Sequence, residues 1–180
     1  MIDKQKLRKV ASTTRKNVAL RVQKDCKITQ KMIELLKAEY DTVFCYVSFG
    51  TEVDTKALIE KLRDSVKIFV PHTYNGKMKA VMLKEETTVL AVDKQGNLYS
   101  ESEQVTELLG NPKACVVPLL AYNGNNYRLG YGGGYYDKYL STHDTLKIGV
   151  CYDEQYFDFE REPFDVAMDI IVTPTKIIRR

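Results

Sequence analysis

The sequence predicts an α/β domain with a mainly parallel central sheet flanked by helices, on three observations. Apolar runs such as TVFCYVSF, ACVVPLLAY, LKIGVCY and DIIVTP do not alternate with polar residues, the pattern of strands covered on both faces. Stretches with helical spacing separate them, so strands and helices take turns along the chain. At 180 residues and 44% hydrophobic, the chain is long enough for one buried core. The expected organisation is a single domain over 1–180, with a basic helical segment, 1–39, packed on the α/β body.

Composition removes several classes of function. No run of 18 apolar residues occurs and the first thirty residues are highly charged, so neither a membrane span nor a signal sequence is expected, and the expected location is the cytoplasm. Cys26, Cys45, Cys115 and Cys151 form no C-x-x-C pair, and three of them sit in apolar runs, which is buried-thiol usage rather than a zinc framework. With only His72 and His143, a histidine-rich metal site is excluded.

Residues 3 to about 39 lack Gly and Pro and read as one or two helices. At 100° per residue, Leu7, Val10, Ala11, Thr14 and Val18 fall on one stripe, expected to face the body. Lys4, Arg8 and Arg15 border that stripe and can lean over the body, either snorkelling or gripping phosphate, whereas Lys6, Lys9, Lys16 and Lys24 point away. Residues 1–31 hold ten Lys/Arg against two Asp, leaving 17 basic against 22 acidic residues in the remainder. A basic block of this kind is a solvated face or a binder of phosphate or nucleic acid.

The stretch TVFCYVSFGTEVDTKALIEKLRDSVKIFVP is a β-α-β unit: a strand, a break at Gly50, a helix over about 55–64, and a strand ended by Pro71. Glu52 falls just past the first strand, at the sheet edge where open α/β sheets bind ligands. MKAVML (78–83) and TVLAVD (88–93) read as strands, KQGN as a turn, and SESEQVTELLG as a short capped helix. ACVVPLLAY is a buried strand, Gly124-Asn125 turns the chain back into YRLG, and LKIGVCY and DIIVTP supply the last strands.

The chemistry concentrates in RLGYGGGYYDKYL, 128–140. It matches neither G-x-x-x-x-G-K-[ST] nor G-x-G-x-x-G. What it shares with both is glycine before a helix: residues without Cβ let successive N–H groups converge on an anion. A glycine turn that merely packs strand on helix is the alternative. Asp137, in the first helical turn, would repel phosphate unless a divalent cation lay between them, or it serves as a dipole cap. Arg128 offers a bidentate grip on phosphate. Of Tyr135 and Tyr136, one could line a flat ligand while the other packs inward. Asp165 and Asp169 precede the last strand, and either could be a second metal carboxylate or a turn cap.

RLGYGGGYYDKYL, with K-x-x-x-R at Lys4 and Arg8, Glu52 in FGTEVDT, VVP before the loop and EPFDVAMD near the end, resembles the 5-formyltetrahydrofolate cyclo-ligase family over residues 4 to about 173. The resemblance implies a fold related to the sugar-phosphate isomerase and CoA-transferase-like group, and an enzyme that uses ATP and Mg²⁺ to convert 5-formyltetrahydrofolate to 5,10-methenyltetrahydrofolate. It implies that Lys4 and Arg8 hold ATP phosphates, and that Arg128, Gly130, Tyr131, Gly132, Gly133, Gly134, Tyr135 and Tyr136 cradle the nucleotide. Val47, Glu52 and Tyr135 would contact the folate, Asp137 and Asp165 the Mg²⁺, with Arg128, Tyr136 and Asp137 as catalytic candidates. Leu119, Asn123 and His72 stand where the family usually has Gly, Asp and Arg. The expected partners are two small molecules, 5-formyltetrahydrofolate and ATP, with neither nucleic acid nor membrane, in a monomer or weak homodimer. The competing reading is a nucleic-acid-binding module using the basic helix and the Gly/Tyr loop.

Overall fold

A computed structural model describes residues 3–37, 39–83 and 110–180. The expected strand at 88–93, the KQGN turn and most of the helix at 100–110 lie outside the described residues.

Helix α1 (Lys4–Lys16) is N-capped by Asp3, whose carboxylate accepts from the Gln5 N–H at 2.8 Å. The chain breaks at 17–20, where Leu20 is left-handed (φ 56°), and resumes as α2 (Arg21–Leu36). Next come β1 (Thr42–Cys45), α3 (Lys56–Leu62), β2 (Lys67–Tyr74) and β3 (Lys77–Met82). After residue 109 follow β4 (Ala114–Pro118), β5 (Ala121–Tyr122), β6 (Arg128–Leu129), α4 (Tyr135–Leu140), β7 (Leu146–Val150), a 3₁₀ turn at Asp153–Gln155, β8 (Ile170–Val172) and β9 (Ile177–Arg179).

The main sheet runs β3-β2-β1-β4-β7-β8-β9. Its inner strands β2, β1, β4, β7 and β8 pair in parallel, while β3 and β9 close the edges antiparallel. Both faces are covered, as unalternating strands require. On one face Val43, Val116, Ile148 and Ile170 pack with Ile28, Met32 and Leu36 of α2 and Leu58, Ile59 and Leu62 of α3. On the other, Phe44, Cys115, Val117 and Ile171 pack with Tyr139 and Leu140 of α4.

Four details differ from the sequence reading. Val10 is 53% exposed, and the buried stripe of α1 is Leu7, Ala11 and Arg15, spaced at four residues, with Leu7 and Ala11 set against Leu120, Ala121, Leu129 and Phe159. Strand β2 continues through Pro71, because beyond Phe69 its described pairing is with β3 alone and a missing N–H on the other side costs nothing. ACVVPLLAY divides: β4 stays in the sheet, whereas β5 leaves it to pair with β6 in a separate ribbon. Lys24 belongs to α2 and does not point away, since it pairs with Glu154.

Candidate active site

The main sheet changes direction between β1 and β4: from β1 the chain crosses through α3 to β2 on one side, and from β4 through α4 to β7 on the other. The loops diverging at that point leave a crevice at the carboxyl ends of the strands. A cleft of about 950 Å³ lies there, at the upper end of the ~300–1,000 Å³ range of small-molecule sites. Of the sequence-predicted site residues, Lys4, Arg8, Val47, Glu52, Arg128, the run 130–137 and Asp165 line it.

The glycine loop is held open by backbone that L side chains resist, with Gly132 at φ +102° and Gly134 at +67°. A Cβ on Gly133 would come 2.9 Å from the Tyr135 ring. Because α4 has only six residues, under two turns, anion affinity here rests on the loop amides and nearby cations more than on a helix dipole. Arg8 reaches the loop from α1, its Nε donating to the Gly130 carbonyl at 3.0 Å with its guanidinium beside Gly132. Neither terminal nitrogen of Arg8 meets a protein acceptor among the described residues.

Arg128 is 5% exposed and stapled to α4, with Nη2 3.0 Å from Asp137 Oδ2 and Nη1 donating to the Val166 carbonyl at 3.4 Å. Asp137 Oδ1 accepts from the Val166 N–H at 3.2 Å. Lys4 Nζ lies 2.7 Å from Asp165 Oδ2 and 3.3 Å from Glu162 Oε2, so α1 also grips the 162–166 segment. Asp169 sits elsewhere, accepting from the Lys147 N–H and pairing with Lys147 Nζ away from the cleft. Of the two aspartates left open by the sequence, Asp165 is the one in the site. Among the described residues no group of three His, Cys, Asp or Glu forms a metal cage. Mg²⁺ does not need one, since it is commonly held by one or two carboxylates together with substrate phosphates. Asp137 and Asp165 fit that mode.

At the other end, Glu52 is 7% exposed. Its Oε1 accepts from the Tyr131 hydroxyl at 2.6 Å and its Oε2 from the Phe49 N–H at 3.1 Å. Burial pushes its carboxyl above the usual range, against the opposing effects of those two hydrogen bonds and of Arg15. Tyr136 lines the cleft and stacks on Phe44, and its buried hydroxyl has no hydrogen-bond partner among the described residues.

Sequence reasoning missed Phe49 and Phe164, which line the cleft while 47% and 87% exposed, and it took Arg15 for a border residue. The signal for Arg15 was its place four residues after Ala11, on the line already containing Leu7. Asn123 is a turn residue: its Oδ1 accepts from the Asn125 and Tyr127 N–H groups, and its Nδ2 donates to the Phe159 carbonyl. Pro71 and Thr73 line the cleft while His72 between them does not, as strand alternation dictates.

Fold and cleft together define an α/β enzyme with a ligand site at the switch point of its sheet, lined by a glycine loop, cationic side chains and carboxylates. The model of the 5-formyltetrahydrofolate cyclo-ligase family matches residues 1–174, and the chain belongs to that family, a family of ligases. A 5-formyltetrahydrofolate cyclo-ligase of Mycoplasma genitalium is 31% identical over 179 residues, 96% of this chain and 98% of the relative. The enzyme of that name from Escherichia coli K12 is 27% identical, over 76% of this chain and 79% of its own. A solved structure of a 5,10-methenyltetrahydrofolate synthetase from Mycoplasma pneumoniae superimposes with a TM-score of 0.73 at 27% identity, covering 96% of this chain and 99% of that one. The synthetase from Aquifex aeolicus, at 24% identity and TM-score 0.82, shares the fold. No helix among the described residues is long and apolar enough to cross a membrane.

Proposed function

We propose that the chain catalyses ATP-dependent closure of 5-formyltetrahydrofolate to 5,10-methenyltetrahydrofolate, releasing ADP and phosphate. Family membership supports the reaction, and one observation carries the geometry: Arg8, anchored through Nε on Gly130, presents beside the glycine loop two guanidinium nitrogens that meet no acceptor among the described residues. That is the arrangement a bidentate phosphate grip requires. Lys4, Arg8 and Arg128 neutralise the triphosphate, and Glu52 and Val47, which line the same cleft, bind the folate.

A formyl amide oxygen is a weak nucleophile, so catalysis consists of aligning it with the γ-phosphorus while holding the charge of the transferring group. The formyl oxygen forms a bond to phosphorus as the bond to ADP breaks. N10 then attacks the activated carbon, loses its proton, and expels phosphate. Arg128, held by its pair with Asp137, would stabilise the charge that develops on phosphate. The Tyr136 hydroxyl, without a hydrogen-bond partner among the described residues, would donate to a substrate atom brought against it. Asp137 and Asp165 would hold Mg²⁺, which supplies charge neutralisation at the phosphates.

The test is direct. Incubation with 5-formyltetrahydrofolate, ATP and Mg²⁺ is expected to raise near-ultraviolet absorbance as the methenyl chromophore forms, with one ADP per product. Flat absorbance with ATP intact would overturn the reading.

A further inference from the structure

We propose that Arg15 and Tyr131 are positioning residues for Glu52, fixing its carboxylate as the folate acceptor and tying it to the glycine loop. The proposal rests on the reading of Glu52 as a folate contact.

Arg15 is a guanidinium on the buried stripe of α1, 5% exposed, where an apolar residue would be expected. A charge in that position needs partners, and its partners belong to the site. Nε donates to Thr51 Oγ1 at 3.0 Å, beside Glu52, and Nη1 donates to the Leu119 carbonyl at 3.4 Å and to the Tyr131 hydroxyl at 2.6 Å. The guanidinium also lies 5.3 Å from the centre of the Tyr131 ring.

The Tyr131 hydroxyl has one proton to give. Arg15 can only donate, so that proton is committed to Glu52 Oε1, 2.6 Å away. Each bond polarises the next, so Arg15 acts on Glu52 through Tyr131. With Oε2 taking the Phe49 N–H, each carboxylate oxygen is oriented by one protein donor and keeps capacity for a substrate N–H.

Tyr131 also stands between Gly130, whose carbonyl takes the Arg8 guanidinium, and Gly132, which packs against it. One residue therefore spans the phosphate grip and the folate carboxylate. Arg21 braces the same corner, donating to the Thr51 and Glu52 carbonyls at 2.7 and 2.9 Å.

The groups facing Glu52 are Arg15 from α1, Tyr131 from the glycine loop, Tyr46 from the end of β1 and Tyr136 from α4. Burial raises the Glu52 carboxyl, while the Tyr131 bond, the Phe49 amide and Arg15 lower it. Removing Tyr131 or Arg15 takes away a lowering influence, so a larger fraction of Glu52 is protonated at a given pH.

The experiment is steady-state kinetics over a pH series at saturating ATP. Tyr131→Phe, which deletes one oxygen, is expected to raise KM for 5-formyltetrahydrofolate about 10-fold with a smaller change in kcat. It should also move the acid limb of kcat/KM to higher pH. Arg15→Gln is expected to move both in the same direction, with Arg15→Lys in between. If Arg15→Gln does not fold, Tyr131→Phe decides alone. A wild-type acid limb in Tyr131→Phe overturns the inference and leaves the proposed function standing. A wild-type protein that makes no methenyl product overturns both.

Discussion

Arg128, which opens β6, meets Asp137, in the first turn of α4, at 3.0 Å, closing the glycine loop at its base. The pair holds the two ends of the loop at a fixed separation, and it keeps a buried guanidinium neutralised.

Asp137→Asn is expected to lower turnover at least about 100-fold and to abolish the dependence of ATP binding on Mg²⁺. It should also cost about 1–3 kcal/mol of stability, because Arg128 loses its counter-charge. Titration of ATP with and without Mg²⁺ checks it. Unchanged Mg²⁺ dependence would reduce Asp137 to a helix cap.

Lys4→Met should raise KM for ATP about 10-fold and leave KM for the folate near wild type, since Lys4 faces Asp165 and Glu162 rather than the Glu52 end. The same variant should lose about 1–3 kcal/mol of stability, because Lys4 and Asp165 are largely buried and Asp165 is left without its counter-charge. A folate-side defect alone would contradict this assignment.

Glu52→Gln tests linkage. The folded carboxyl lies above its ordinary value of 4.5, so the native state binds more protons than the unfolded state between 4.5 and that raised value. Ionised Glu52 therefore costs the wild type stability as pH rises through that window, and the cost persists above it. The denaturant midpoint of wild type relative to Glu52→Gln should fall with rising pH, while folate binding is weakened in the variant at pH values above that window, where the wild-type carboxylate is ionised. A difference that grows in favour of wild type would show that Glu52 is stabilised by its surroundings.

Thiol chemistry reports on the core. Cys45, Cys115 and Cys151 are buried, and burial pushes their thiols up, Cys115 to about 12. Cys26 is exposed. A water-soluble thiol reagent should label one cysteine in the native protein and four after denaturation, counted by mass.

Gly149→Ala should destabilise by about 1–3 kcal/mol, because its Cβ would fall 2.7 Å from Ile171 Cδ1 and 2.9 Å from Leu119 Cδ2. Urea denaturation measures this directly, and a wild-type midpoint would mean that the Ile171 and Leu119 side chains shift aside without cost.

The sheet was legible because parallel strands covered on both faces read as unbroken apolar runs, and the glycine loop because no ordinary helix start needs four glycines. ACVVPLLAY misled for the same reason: Leu119, Leu120 and Ala121 are as buried as the strand before them, so hydrophobicity could not mark where β5 leaves the sheet. Strand β9, with its exposed-intermediate-exposed pattern, offered no apolar run to find. Arg15 was hidden because a charge normally signals solvent, and only the tertiary partners Thr51 and Tyr131 explain its burial. The convergence of the site residues came from family resemblance, since no local pattern joins residue 4 to residue 165.

That last separation has a consequence for synthesis. Lys4 and Asp165 are 161 positions apart, and Arg8 and Gly130 are 122 apart. A ribosome must finish most of the chain before its first helix can find either partner. The catalytic pocket is therefore among the last parts of the molecule to form, late in the way long-range contacts are late. Until then Lys4 is without the carboxylates of Glu162 and Asp165 that hold it in the folded chain.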